Sequence, residues 1–302
     1  MAKRVPHDRL FKELLSTFLF EFLDLFLPEL AVSLDRESIE LLDKEMFTEL
    51  AEGERREADL VARAQLRGQE AFFVIHLEHQ AQSKQIEQFP FRMFTYYSIL
   101  VQRYCVPVYP IALLSYSNPR KSAPSSYEIG FADFVPLHFR FRTIQLNLLE
   151  WRDFVYRDNP VAAALMSRMH VERKDRPKVK LACLRLLGRQ RLDRARSMLV
   201  SHFVDQYLWL DPAETMSFHE EVDSLPIEET KTVYDMMTSW EKAGLEKGLE
   251  QGREQGREEG LEQGLAQGRR EAVIGILEVR FVRVPEPVKA RLNEVTELDR
   301  LR

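Results

Sequence analysis

Two stretches decide the reading of this chain: Arg56-Glu57-Ala58-Asp59-Leu60-Val61 and, beyond a turn at Gly68-Gln69-Glu70, Phe72-Phe73-Val74-Ile75-His76-Leu77-Glu78-His79-Gln80. Phe72 to Leu77 has the continuous apolar and aromatic character of a buried strand, bounded by turn residues. Side chains alternate across a strand, so His76, Glu78 and Gln80 point to one face and His79 to the other. Asp59, and Glu57 on the same face, stand beside the preceding apolar run. Two ionised carboxylates brought together at a sheet edge repel each other, and a hard divalent cation makes that arrangement favourable. Mg²⁺ takes one or two carboxylates together with phosphate oxygens, so the spacing suits metal-assisted attack on a phosphodiester. Solvated strand-end carboxylates are the plain alternative, because a short motif is only a hypothesis without its structural context.

Working outward, Asp8 to Leu27 reads as one amphipathic helix ended by Pro28. Phe11, Leu14, Leu15, Phe18, Phe22, Leu25 and Phe26 form its apolar stripe. Residues 39–47, 57–64 and 71–80 read as three strands, 85–102 as a helix, 108–116 as a strand, and 139–147 as a further alternating strand. Arg140 and Arg142 then share one face, either as phosphate contacts or as a solvated edge. The order helix, three strands, helix, strand predicts a mixed α/β core over residues 1–158. From Asn159 strand signals vanish, and Pro160–Met169, Pro177–Leu187, Arg194–Leu208 and Pro212–Val222 read as short helices, several with Pro near the first turn.

This order of motifs resembles the PD-(D/E)XK nuclease superfamily, and within it the recombination-promoting nuclease/putative transposase branch. His7-Asp8-Arg9-Leu10-Phe11-Lys12 looks like that branch's N-terminal signature, and Arg92-Met93-Phe94-Thr95-Tyr96 like its Arg-Met-x-x-Tyr pattern. The resemblance implies a restriction-endonuclease-like mixed sheet flanked by helices and a Mg²⁺-dependent DNA endonuclease, with Mn²⁺ as a substitute ion. It further implies a link to recombination or mobile elements. By resemblance Asp59 and Glu78 are the metal ligands, and Gln80 stands where Lys is usual. Asp8 is a site-lining carboxylate, although Asp8 and Lys12 also fit an exposed pair one helical turn apart. Lys12, His76, Arg92 and Tyr96 are candidates for substrate contact or for support of the site. For His76 the plainer reading is a satisfied core histidine. Ala58 replaces the Pro of the superfamily name, a position that carries no ligand. Gln80 is the larger departure, because an amide offers neutral dipoles where an ammonium offers charge.

Composition narrows the remaining choices. The chain has 302 residues, 45% of them hydrophobic, and a formal net charge of −5. That is room for one full core and a further element, without a histone-like coat of positive charge; a local basic groove is compatible with it. The only two cysteines, Cys105 and Cys183, sit in apolar sequence and read as buried free thiols, not as a disulfide framework or a zinc site. Leu14–Leu30 is interrupted by Glu21, Asp24 and Glu29, which is too charged for a membrane span; a cytoplasmic protein is expected. No Gly-rich phosphate loop, Gly-x-Ser-x-Gly elbow or zinc pattern supports an NTPase, a serine hydrolase or a zinc enzyme.

The C-terminal part is all-α: a helical region over 159–227, a long helix over 228–272 and a short segment over 273–302. Gly244, Gly248, Gly252, Gly256, Gly260, Gly264 and Gly268 recur every fourth residue. Each glycine costs about 1 kcal/mol against Ala inside a helix, so residues 241–271 read either as a surface for self-association or a partner helix, or as a solvated helix or linker. The membrane form of this motif does not apply, because Glu, Gln, Lys and Arg fill the gaps. A tail shorter than those of its relatives is expected from the stop at Leu301-Arg302. The expected functions are therefore a DNA endonuclease or, from a different class, a non-catalytic interaction protein that oligomerises through its tail.

Overall fold

The computed structural model describes residues 7–42, 60–68 and 72–237, and in the C-terminal part residues 253, 257, 264–265, 267–268, 271–277 and 280. Asp59 and Glu57 lie outside the described residues, as do residues 43–47 of the first expected strand. The chain divides into two compact units, Met1–Met237 and Thr238–Arg302. No described helix is long and apolar enough to cross a membrane.

The first unit opens with α1 (His7–Thr17), α2 (Leu19–Phe26) and α3 (Pro28–Ser33). The single helix expected over 8–27 is bent at Phe18, whose backbone leaves helical angles at φ −125 and ψ 37. Hydrogen bonds from Phe18 N to Leu14 O and from Phe22 N to Phe18 O carry the turn through the bend. The apolar stripe survives it: Phe11, Leu14, Leu15, Phe18 and Phe22 are all buried. The helical stretch ends before Pro28 as expected, at Phe26, and Pro28 then opens α3, where its missing N–H is harmless at the first turn.

Five strands make the main sheet: β1 (Glu40–Leu41), β2 (Leu60–Gln65), β3 (Phe72–Gln80), β4 (Val108–Leu114) and β7 (Arg142–Gln145), in spatial order β1-β2-β3-β4-β7. β1, β2 and β3 pair antiparallel, while β3–β4 and β4–β7 are parallel. Gly68, at φ +73, turns the chain out of β2 in a conformation that L side chains resist. β3 lies at the centre with Phe73 through Gln80 buried, which explains its nearly unbroken apolar run. Because β3 and β4 run parallel, a crossover must join them, and α4 (Phe89–Tyr104) supplies it. Phe89, Met93, Tyr96 and Leu100 of α4 recur at three- and four-residue steps and are buried.

The strand expected over 139–147 is two strands in two sheets. β6 (Leu137–Arg140) pairs with β5 (Ser126–Ile129) in a separate hairpin, whereas β7 joins the main sheet beside β4. Phe141 is the junction: it is buried with Phe89, Met93 and Phe139, and its N–H donates to Ser125 O. Arg140 and Arg142 consequently belong to different strands and do not form one face.

After Asn159 the chain is helical: α5 (Pro160–Leu165), α6 (Arg176–Arg189), α7 (Arg194–Tyr207) and α8 (Pro212–Asp223), with residues 227–237 helical beyond them. Asn159 caps α5 by accepting from Val161 N and Ala162 N, and its Nδ2 donates to Glu21 O of α2 at 2.8 Å. Phe11 of α1 packs edge-on against Phe203 of α7 at 4.8 Å between ring centroids.

The cysteines part company. Cys183 is buried in α6, and burial pushes its thiol up to about 12. Cys105, expected to be buried, is exposed: it ends α4 in the left-handed conformation, φ 52, which turns the chain outward despite its apolar neighbours. In the second unit, of the glycine repeat only Gly264 and Gly268 are among the described residues; both are helical.

Candidate functional site

The polar end of β3 is the chemically unusual place in this fold. A core strand ordinarily buries apolar side chains, yet His76 is 0%, Glu78 4%, His79 5% and Gln80 7% exposed. Burying a charge is costly unless it is paired and hydrogen-bonded, so the partners decide what each residue is for.

On one face, His76, Glu78 and Gln80 meet α4. His76 Nε2 lies 3.3 Å from Glu78 Oε2, and Arg92 Nε lies 3.6 Å from the other carboxylate oxygen, Oε1. Arg92 Nη2 also donates to Gln80 Oε1 at 2.6 Å, and Gln80 Nε2 donates to Gln82 O at 2.5 Å. The amide of Gln80 is thus engaged at both ends inside the protein. The Arg92 guanidinium lies over the Phe89 ring, 4.9 Å from its centroid, which suits a weakly hydrated planar cation. Tyr96, one turn further along α4, meets His76 edge-to-face at 5.6 Å. With Nε2 turned to the carboxylate, His76 Nδ1 is buried and has no hydrogen-bond partner among the described residues.

On the opposite face, His79 stacks on Phe11 of α1 at 3.8 Å and its Nε2 lies 2.7 Å from Ser115 Oγ. Ser115 follows β4 directly, and its N–H donates to Gln80 O at 3.0 Å. α1 therefore packs on the His79 face.

Among the expected site residues, then, Glu78, Gln80, His76, Arg92 and Tyr96 form one cluster. Lys12 is partly buried on α1; the backbone of Asp8 lies in the first turn of that helix. His76 is a core residue and a direct neighbour of Glu78, and with Nδ1 unpartnered among the described residues it is not the satisfied core histidine of the plainer reading. Sequence reasoning missed the Arg92–Gln80 bond, the engagement of Gln80 with Gln82, and Ser115. The available signal was an arginine one turn before Tyr96 on the helix that returns over β3.

Hard oxygen donors are what Mg²⁺ prefers, and the Glu78 carboxylate at the strand end is such a donor. Among the described residues no group of three or more His, Cys, Asp and Glu side chains forms a metal cluster. A divalent ion at Glu78 would share the carboxylate with Arg92 and His76.

Residues 5–107, about a third of the chain, match the model of the family described as putative transposase, YhgA-like. The segment holds the polar end of β3 and all of α4, and the match agrees with the branch named from the motifs. No curated protein and no solved structure matches the chain.

Proposed function

We propose, from the match of residues 5–107 to the family model described as putative transposase, YhgA-like, that this protein acts on mobile-element DNA as a Mg²⁺-dependent endonuclease of restriction-endonuclease-like build. One observation carries the reading: a buried carboxylate at the end of the central strand, with a guanidinium bound to it and to the side chain two residues on. A carboxylate kept only for stability would be better replaced by an apolar residue, since buried ion pairs often contribute little.

Asp59 and Glu78 would hold Mg²⁺, or Mn²⁺ in its place, and the ion would supply water activation and charge neutralisation at phosphorus. The chain's own groups do the rest. His76, with Nε2 3.3 Å from Glu78 Oε2, orients the carboxylate. Tyr96 fixes the imidazole ring. Arg92 supplies the cation that a Lys at position 80 would supply, and Gln80 acts as its tether. Positive charge placed where negative charge develops is commonly worth about 2.7–4 kcal/mol in the transition state. Asp8 and Lys12 belong to α1 on the His79 face, so they would meet the substrate only beyond the end of β3.

The test is cleavage of supercoiled plasmid by the full chain in Mg²⁺, in Mn²⁺ and in EDTA, beside Asp59→Ala and Glu78→Gln. Nicking that needs the ion and disappears in both variants is expected. A wild-type protein inert with every ion sinks the reading.

A second reading, a non-catalytic protein associating through residues 241–271, has one observation in its favour. An added Cβ at Gly264 or Gly268 would meet nothing within 4 Å among the described residues, so the space these glycines leave is free for a partner helix. Light scattering on a chain ended after Trp240 should show a smaller assembly if the tail associates; an unchanged assembly ends this reading.

A further inference from the structure

Arg168 closes the single 3₁₀ turn Met166–Arg168 after α5, in a stretch where Val161 through Met166 are fully buried. Its guanidinium donates to Ser115 O and lies over the Tyr207 ring, 4.8 Å from the centroid, while its buried Nε has no hydrogen-bond partner among the described residues. No carboxylate pairs with it among the described residues. Burial holds its pKa below the usual arginine value, opposed only by the Tyr207 hydroxyl. A desolvated cation without a counter-charge is costly, and a core stretch would be cheaper with a methionine there.

The surroundings point outward from the sheet. Ser115 is bonded to Gln80 and begins the loop that leaves β4. That loop is pinned by two buried amides. Gln145 accepts from Ala123 N and donates to Lys121 O, and Asn147 donates to Ser117 O and Pro119 O. Held in this way is Arg120, exposed, with Nη1 3.1 Å from Nε2 of His170, two residues beyond Arg168. One pinned loop at the carboxyl end of β4 therefore carries Arg120 and is held at its first residue by Arg168. By register this is also the end of β3 that carries Glu78 and Gln80, since Gln80 pairs with Leu114. Ligands of sheets with parallel strands gather outside such ends, and the guanidinium fork matches phosphate oxygens.

Building on the nuclease reading, we propose that Arg168, together with Arg120 of the loop it holds, forms a seat for a backbone phosphate of the nucleic-acid strand whose cleaved phosphodiester lies at Glu78. Arg168 contacts substrate away from the reacting atoms and supplies affinity, not chemistry.

The experiment uses the full chain in EDTA, so that binding is read without cleavage. A fluorescein-labelled DNA duplex is titrated by anisotropy across a sodium chloride series, with wild type, Arg168→Met, Arg168→Lys and Arg120→Ala. Melting curves with and without inorganic phosphate run in parallel. Arg168→Met should weaken DNA binding about tenfold and reduce the salt slope by about 1. Arg168→Lys should keep the slope. Phosphate should raise the melting temperature of wild type and leave that of Arg168→Met unmoved. If Arg168→Met binds DNA with the wild-type affinity and slope, Arg168 is a structural prop and the seat is refuted. Should Arg168→Met fail to fold, Arg120→Ala reads the same slope, and an unchanged slope there refutes the seat equally. A wild type that binds no DNA at any salt overturns the nuclease reading and this occupant together; phosphate stabilisation confined to chains with Arg168 would then assign the seat to free phosphate.

Discussion

The two faces of β3 carry buried histidines three residues apart, and the chain treats them oppositely. His79 faces α1: it stacks on Phe11 and its Nε2 meets a serine hydroxyl within a core of rings. His76 faces α4 and meets a carboxylate that an arginine also reaches. Both are almost fully buried, so burial does not separate a packing histidine from one that serves a charge. The partner's chemistry does. The partner of His79 Nε2 is a neutral hydroxyl, whereas around His76 the partners Glu78 and Arg92 concentrate charge at the strand end.

The largest effect that tests this contrast falls on the packing face. Phe11→Ala removes the ring between His79, Phe203 and Tyr207 and should cost about 3–5 kcal/mol, the usual range for emptying a buried aromatic site. Chemical denaturation measures it. A loss below about 1 kcal/mol would mean that the α1 face does not hold the core together.

Next comes Glu78→Gln on the other face. It keeps the shape and removes the charge that Arg92 and His76 surround. Cleavage should fall by about 10²–10³-fold, with folding stability changed far less than by Phe11→Ala. If instead stability collapses while residual cleavage is unaffected, Glu78 is a structural anchor and the two faces are alike.

Much of this contrast was legible in the sequence, and the failures share a cause. The continuous run of β3, the alternation that sets His76, Glu78 and Gln80 against His79, and the stripe of α4 all follow from local periodicity. The split at Phe141 does not, because Phe139, Phe141 and Thr143 keep strict alternation across the junction; which strand pairs with which is settled by distant partners. Cys105 was misread for a related reason. Hydropathy of the flanking Tyr104 and Val106 cannot reveal a left-handed helix end. The hydrogen bond that brings the Arg92 guanidinium to Gln80 from another element, twelve residues away, was not legible in the sequence either.

A smaller effect concerns how the helical layer is attached to the packing face. Asn159 caps α5 and ties it to α2 across 138 residues of sequence. Asn159→Ala should cost about 1–2 kcal/mol, since it removes a cap and leaves the Glu21 carbonyl without this donor. Cleavage should persist at temperatures where the variant is folded. Equal loss of activity and stability at every temperature would show that the α2–α5 tie also sets the geometry of the Glu78 face.

The smallest expected effect is the sharpest test of the charged face. Gln80→Lys alone sets an ammonium against the Arg92 guanidinium, where an amide oxygen now accepts a 2.6 Å hydrogen bond. Two cations around one carboxylate repel each other and draw Glu78 away from a metal, so cleavage should fall most at low Mg²⁺. Adding Arg92→Gln exchanges the two roles: the cation moves to β3 and the amide to α4, with a donor and an acceptor still facing each other. The double variant should recover activity beyond the product of the single effects, with a coupling of about 1 kcal/mol in the double-mutant cycle, within the range for side chains in contact. The swap need not restore the wild-type rate, because an ammonium lacks the fork that lets Arg92 reach Glu78 and Gln80 together. Strict additivity in kcat/KM would mean that the two side chains do not work as a unit. Arg92 could then not be the stand-in for a lysine at position 80, and the charged face would be left with Glu78 alone.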